Sequence, residues 1–133
     1  MDWKLEVVVL PVSDVDRSKA WYVDRFGFTL DVDVQPTPTM RVVQMTPPGS
    51  ACSVTIGPSI LEPGAEVGGR ASLQLVVTDI DAARSELTGR GIDTGDVQLL
   101  GDTDGSKFLF FQDPDGNQWA VQEIRVAAGS QLD

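Results

Sequence analysis

Two apolar runs, at about 5 to 12 and 71 to 77, each end at an aspartate followed by a mixed stretch: Asp14 before VDRSKAWYVDRF and Asp79 before IDAARSELTGRG. An extended apolar run, a capping side chain and then a polar and apolar mixture predict a strand leading into a helix. Gly27 and Gly91 stand where those helices should stop. Period-two segments then predict strands at about 28 to 34, 40 to 46 and 51 to 57, and again at 97 to 100, 107 to 112 and 118 to 125. Asp113-Pro114-Asp115-Gly116-Asn117 has the composition of a tight turn, with Pro47-Pro48-Gly49-Ser50 as its counterpart.

The predicted elements repeat. A shift of 65 residues lays Leu10 on Leu75, Val12 on Val77, Asp14 on Asp79 and Asp16 on Asp81. A shift of 67 lays RVVQMTPPGSACSVTI (41 to 56) on FLFFQDPDGNQWAVQE (108 to 123). The chain therefore reads as two copies of one unit, each a strand, a helix and several more strands. The expected division is a single domain over 1 to 127, with copies at about 4 to 57 and 71 to 126, a linker at 58 to 70 and a loose tail at 128 to 133. The 133 residues suit one domain.

Charge and composition narrow the partners. Ten Lys and Arg against twenty Asp and Glu give a net charge of −10, which repels phosphate backbones and anionic lipid. Neither nucleic acid nor a membrane is expected as partner. Such a charge also serves solubility alone. One cysteine, Cys52, cannot form an internal disulfide, and the first residues lack the pattern of a secretion signal, so the expected compartment is the cytoplasm. Histidine is absent. The commonest metal ligand and general base is thereby missing.

The segments LPVSDVDRSKAWYVDRFGF, VVTDIDAARSELTGRGI and FFQDPDGNQWAVQE resemble the vicinal oxygen chelate superfamily, also called the glyoxalase/bleomycin-resistance/extradiol-dioxygenase fold. The resemblance implies an α+β fold of two tandem βαβββ modules, with mixed sheets curled around a cavity, commonly in a homodimer. It also implies four ligand positions for a divalent ion. Carried onto this chain these are Val7, Ser72, Ser53 and Ala120. Valine and alanine have no donor atom, serine is a weak neutral ligand, and Ala120 replaces the glutamate that also moves protons in metal-dependent relatives. No cofactor and no metal is expected. A register slip of one residue would put Glu6 in place of Val7.

Taking those four positions as facing a cavity, strand alternation adds Val9, Pro11, Thr55, Gln74, Val76 and Gln122, and the 67-residue shift adds Arg41, Val43, Phe108 and Phe110. This is an apolar lining with amides and one cation, suited to a partly aromatic small molecule. Each candidate has a plainer role available. The phenylalanines can be core, Arg41 can be a solvated strand end, Trp21 and Tyr22 can pack on the sheet, Trp119 can be core or dimer contact, and Cys52 can be an inert thiol. The acidic net charge favours a cationic ligand, whereas Arg41 in the cavity favours an acidic or carbonyl group. Three functions follow: a metal-free binder like the bleomycin-resistance proteins; a glyoxalase-like lyase or isomerase or a dioxygenase, with metal held by Glu6 or Glu123 or with none; or a dimeric regulatory or assembly module. The stretches 34 to 40 and 100 to 107 are expected as loops shaping the pocket, with Pro36-Thr37-Pro38-Thr39 as a rim or lid.

Overall fold

The computed structural model describes residues 1–57, 71–100 and 106–124. The predicted linker at 58 to 70, the tail and most of the loop at 100 to 107 lie outside the described residues. The first copy comprises β1 (Val7–Pro11), α1 (Val15–Ala20), β2 (Thr29–Thr37), β3 (Met40–Thr46) and β4 (Ser53–Gly57). The second comprises β5 (Ser72–Val77), α2 (Ile80–Gly89), β6 (Gln98–Leu99), β7 (Lys107–Gln112) and β8 (Gln118–Glu123). Two four-stranded mixed sheets result, in the orders β1-β4-β3-β2 and β5-β8-β7-β6, and the fold is α+β. In each, the first strand runs parallel to the last. The chain divides into two compact units, and the turn at 112–117 groups with the first copy rather than the second.

Both aspartate caps form. Asp14 accepts from the Arg17 backbone N–H and Asp79 from that of Ala82, each at 3.1 Å, satisfying donors that a helix start leaves without partners. Beyond Ala20 the first helix widens into a π-helical segment, Trp21–Phe26, closed by Gly27 at φ 90°. The five-residue hydrogen-bond spacing sets Trp21 and Phe26 on one side, their rings 5.5 Å apart and edge to face. Tyr22 is fully buried against Phe28, with ring centroids 5.4 Å apart. Trp21 is half-buried among these rings. The aromatics of this helix are packing residues.

In the first unit Leu10, Val43, Met45 and Ile56 are wholly buried. In the second, Ile80, Leu109, Trp119 and Val121 form the equivalent core. The expected loop at 34 to 40 is instead the end of a hairpin: β2 continues to Thr37, which pairs with Met40 across a turn at Pro38 and Thr39. Proline is tolerated there because β2 is an edge strand, bonded on one side only.

The turn after β7 anchors to the first helix. Asp113, 5% exposed, accepts from the Tyr22 hydroxyl at 2.7 Å, the Asn117 side-chain amide at 2.9 Å and the backbone N–H groups of Asp115 and Asn117 at 2.9 and 2.8 Å. Asp115 accepts from the Ser13 hydroxyl at 2.6 Å and from Arg17 at 3.1 Å. A buried carboxylate survives desolvation only with such a set of donors. Tyr22→Phe removes one of them from a charged acceptor and should lower the unfolding free energy by about 2 kcal/mol in urea titration. An unchanged midpoint would show that the hydroxyl contributes nothing.

Candidate functional site: the helix-free faces of the two sheets

Each sheet packs one face toward its own helix and leaves the other free of it, so register decides which side chains can meet a ligand. In the first sheet Val7 pairs with Ser53 and Val9 with Thr55, while Leu10 pairs with Ile56. Leu10 and Ile56 belong to the core, so Val7, Val9, Pro11, Ser53 and Thr55 share the helix-free face. Ser53 and Thr55 are buried, and the other three half-buried.

β3 corrects the expected lining. Val43 pairs with Ile56 and Gln44 with Thr55. Val43 and Arg41 therefore belong to the helix-covered face, and Val42, Gln44 and Thr46 take the positions expected of them. Thr46 confirms this directly, its hydroxyl lying 2.7 Å from that of Ser53. The misplacement comes from carrying one shift of 67 residues across both hairpins; the strands before the two turns do not share it, and an odd error in register exchanges the faces.

Arg41 is engaged on the helix side. Its guanidinium grips both Asp33 oxygens at 3.0 Å and donates to Asp16 of α1 at 2.7 Å, while Lys19 donates to Asp33 at 2.7 Å. The hydrogen bonds from Arg41 and then Lys19 hold the Asp33 carboxyl well below the usual carboxylate range, and those that Arg41 donates to Asp33 and then Asp16 hold its guanidinium above its own.

A bulge separates Asp33 from its neighbour Asp31. Leu30 pairs with Met45 but Val32 pairs with Gln44, leaving Asp31 as the extra residue. Asp33 keeps the helix side, and the Asp31 carboxylate accepts from the Thr46 hydroxyl on the other. The array Asp31, Thr46 and Ser53 is thus built by three strands. It was not anticipated from the sequence, where VDVDV reads as one uninterrupted alternation; only the bulge puts the two aspartates on different faces. Within this array the Asp31 carboxylate meets the Thr46 hydroxyl, and the Ser53 hydroxyl meets Thr46 rather than a carboxylate.

In the second sheet Ser72 pairs with Gln118, Gln74 with Ala120 and Val76 with Gln122. These residues form one face, with Ser72, Gln74 and Val76 exposed and Ala120 and Gln122 half-buried. The Gln74 side-chain amide donates to the Gln122 carbonyl at 2.6 Å. On β7, Leu109 and Phe111 enter the core while half-buried Phe108 and Phe110, 39% exposed, alternate away from it. Their rings lie 6.2 Å apart and within 5° of parallel. Trp119 is core.

These residues do not fit the divalent ion that the sequence resemblance implies. Val7 and Ala120 offer no donor, and the Ser53 hydroxyl is bonded to Thr46. Glu123 alternates to the helix side, where its carboxylate accepts from the Ile80 backbone N–H at 2.9 Å. Glu6 is exposed ahead of β1, and its backbone carbonyl accepts from Ser53 N–H at 2.9 Å. Among the described residues no group of three or more Cys, Asp or Glu is placed to hold a metal.

Residues 4–121 match the model of the Glyoxalase/Bleomycin resistance protein/Dioxygenase superfamily. The chain belongs to that superfamily. A superfamily member from Sphaerobacter thermophilus is 33% identical, with a TM-score of 0.77 over 92% of this chain and 98% of that one. TnmS3, an antibiotic binding protein from Streptomyces sp. CB03234, is 28% identical, with a TM-score of 0.72 over 92% of this chain and 96% of that one. A glyoxalase/bleomycin resistance protein from the same Streptomyces is 29% identical, with a TM-score of 0.69 over 90% of this chain and all of that one (100%). Among curated proteins none matches the chain. Superfamily membership and these neighbours support small-molecule binding as the general function. Among the described residues no helix is long and apolar enough to cross a membrane.

The Asp33 cluster gives a pH prediction. A carboxyl held below its unfolded value, about 3.9, adds stability that is present above that pH and lost as the pH falls toward the folded value. Urea midpoints measured downward from pH 6 should fall below about pH 4 in the parent and fall less in Asp33→Asn. Parallel profiles would contradict the assignment.

Proposed function

We propose that the protein is a metal-free binder of a small, partly aromatic molecule, seated on the helix-free face of the second sheet. The observation that carries this reading is the parallel Phe108 and Phe110 pair, turned away from the core as Gln74 and Gln122 are. A folding core has no use for a ring left 39% exposed, whereas a planar ligand can stack on it. The glutamine pair adds orientation: once one amide donates to the other, one carbonyl and one amino group remain, whichever way the amides are turned. That pattern fits a ligand edge presenting both a donor and an acceptor. Ser72, Val76 and Ala120 are small or apolar enough to leave room for it.

On the first sheet Val7, Val9, Ser53 and Thr55 are the corresponding ligand-facing residues, and Arg41 and Val43 are not. The likeness to an antibiotic binding protein is in keeping with sequestration rather than turnover. The protein works as a cytoplasmic homodimer in this reading. An enzyme using the superfamily's metal is disfavoured because Glu123 is committed to α2 and Ala120 has no acid or base to offer.

Thermal-shift titration with alizarin, a planar anthraquinone, should give a saturable rise in melting temperature that EDTA leaves unchanged. Phe110→Ala should weaken binding roughly fivefold, as expected for about 1 kcal/mol of ring contact. Failure of alizarin and other fused-ring aromatics to bind, or equal affinity in the variant, would overturn the proposal.

A further inference from the structure

We infer that the helix-free face of the first sheet holds a protonated amine at Asp31, Thr46 and Ser53. The hydroxyl hydrogens of this array are already committed. Thr46 has a single hydroxyl hydrogen, and it goes to the Asp31 carboxylate. The contact between Thr46 and Ser53 at 2.7 Å must then use the hydrogen of Ser53. Both hydroxyls have spent their donors, so the array offers lone pairs alone: the second Asp31 oxygen and what remains on Thr46 and Ser53. A group that meets it must donate.

The surroundings select a cation among donors. The strand residues that share this face include no lysine or arginine among the described residues, and Asp31 is their one charged side chain. Arg41, the cation expected here, is turned to the other face and held by Asp33 and Asp16. The conflict between an acidic protein and a cationic lining therefore disappears, and the net charge of −10 acts with the site rather than against it. Val7, the register partner of Ser53, and Val32, the partner of Gln44, border the array with apolar surface. An ammonium on a short apolar stem matches both parts. Thr46 and Ser53 orient the carboxylate and shield one side of it from water, which strengthens its attraction for a charged donor. Although Ser53 and Val7 are ligand-facing in the proposal above as well, this site shares no residue with the Phe108, Phe110, Gln74 and Gln122 face of the second sheet, so either site can fail without the other.

The test is amide NMR titration of the whole protein at pH 7 with 2-phenylethylamine. Saturable shifts at Asp31, Thr46 and Ser53 are expected, with none from 3-phenylpropionate, a carboxylate of similar shape. The N,N,N-trimethylated amine, which keeps the charge but has no N–H, should bind several-fold more weakly. Asp31→Asn and Thr46→Val should each weaken the amine about tenfold, while Asp24→Asn, at an exposed site on the first helix, should leave it unchanged. Absence of saturable shifts, shifts confined to Phe108 and Phe110, equal affinity for the trimethylated compound, or an Asp31→Asn variant that binds as the parent does would each overturn the inference.

Discussion

The two-residue period of a strand governs everything that this molecule can present to a ligand. In both sheets alternate side chains go to the helix or away from it, and a shift of one residue exchanges the sets. Leu10, Ile56, Val43 and Met45 are fully buried on the helix side because they share a parity, and Val9, Thr55 and Gln44 lie on the helix-free face because they share the other. The bulge at Asp31 is one of two places where β2 breaks this rule against β3, the other lying between Val34 and Thr37. It divides two aspartates that sit two residues apart between a helix-side ion pair and an acceptor array.

The architecture was legible because it rests on local signals of strong physical meaning. Asp14 and Asp79 cap helices, Gly27 ends one at positive φ, and the repeated order of elements needed no tertiary information. Alternation along β5 and β8 puts Ser72, Gln74, Val76, Ala120 and Gln122 on one face, whereas Phe108 and Phe110 were expected there from the same 67-residue shift that misplaced Arg41 and Val43. Arg41 and Val43 were misplaced because hairpin length, which sets parity across a turn, is not encoded in any one residue. Asp31 and Thr46 were missed for a related reason: a bulge leaves no mark in a sequence such as VDVDV. The widening of the first helix beyond Ala20 was equally hidden, since Trp21 and Phe26 look like ordinary packing residues until the five-residue spacing brings their rings together.

The chain has the scaffold of its superfamily, and in the proposed reading it binds without the ion that the sequence resemblance implies. At a position where the sequence resemblance implies a metal ligand, the structure shows Ser53 at the end of a hydrogen-bonded chain that starts at a carboxylate. Ala120 lies beside Gln74, whose amide is shared with Gln122. In that reading, selectivity would come from lone pairs and rings held in fixed positions by strand pairing, which costs little reorganisation when a ligand arrives.

Reversible capture without chemistry is the central claim, and calorimetric titration of chelator-treated protein with a fused-ring aromatic, followed by recovery of the compound and its mass spectrum, tests it most directly. The account predicts saturable heat, no requirement for added zinc, iron or manganese, and a ligand returned with its mass unchanged. A compound returned altered, or heat that appears only after a divalent ion is restored, would contradict it.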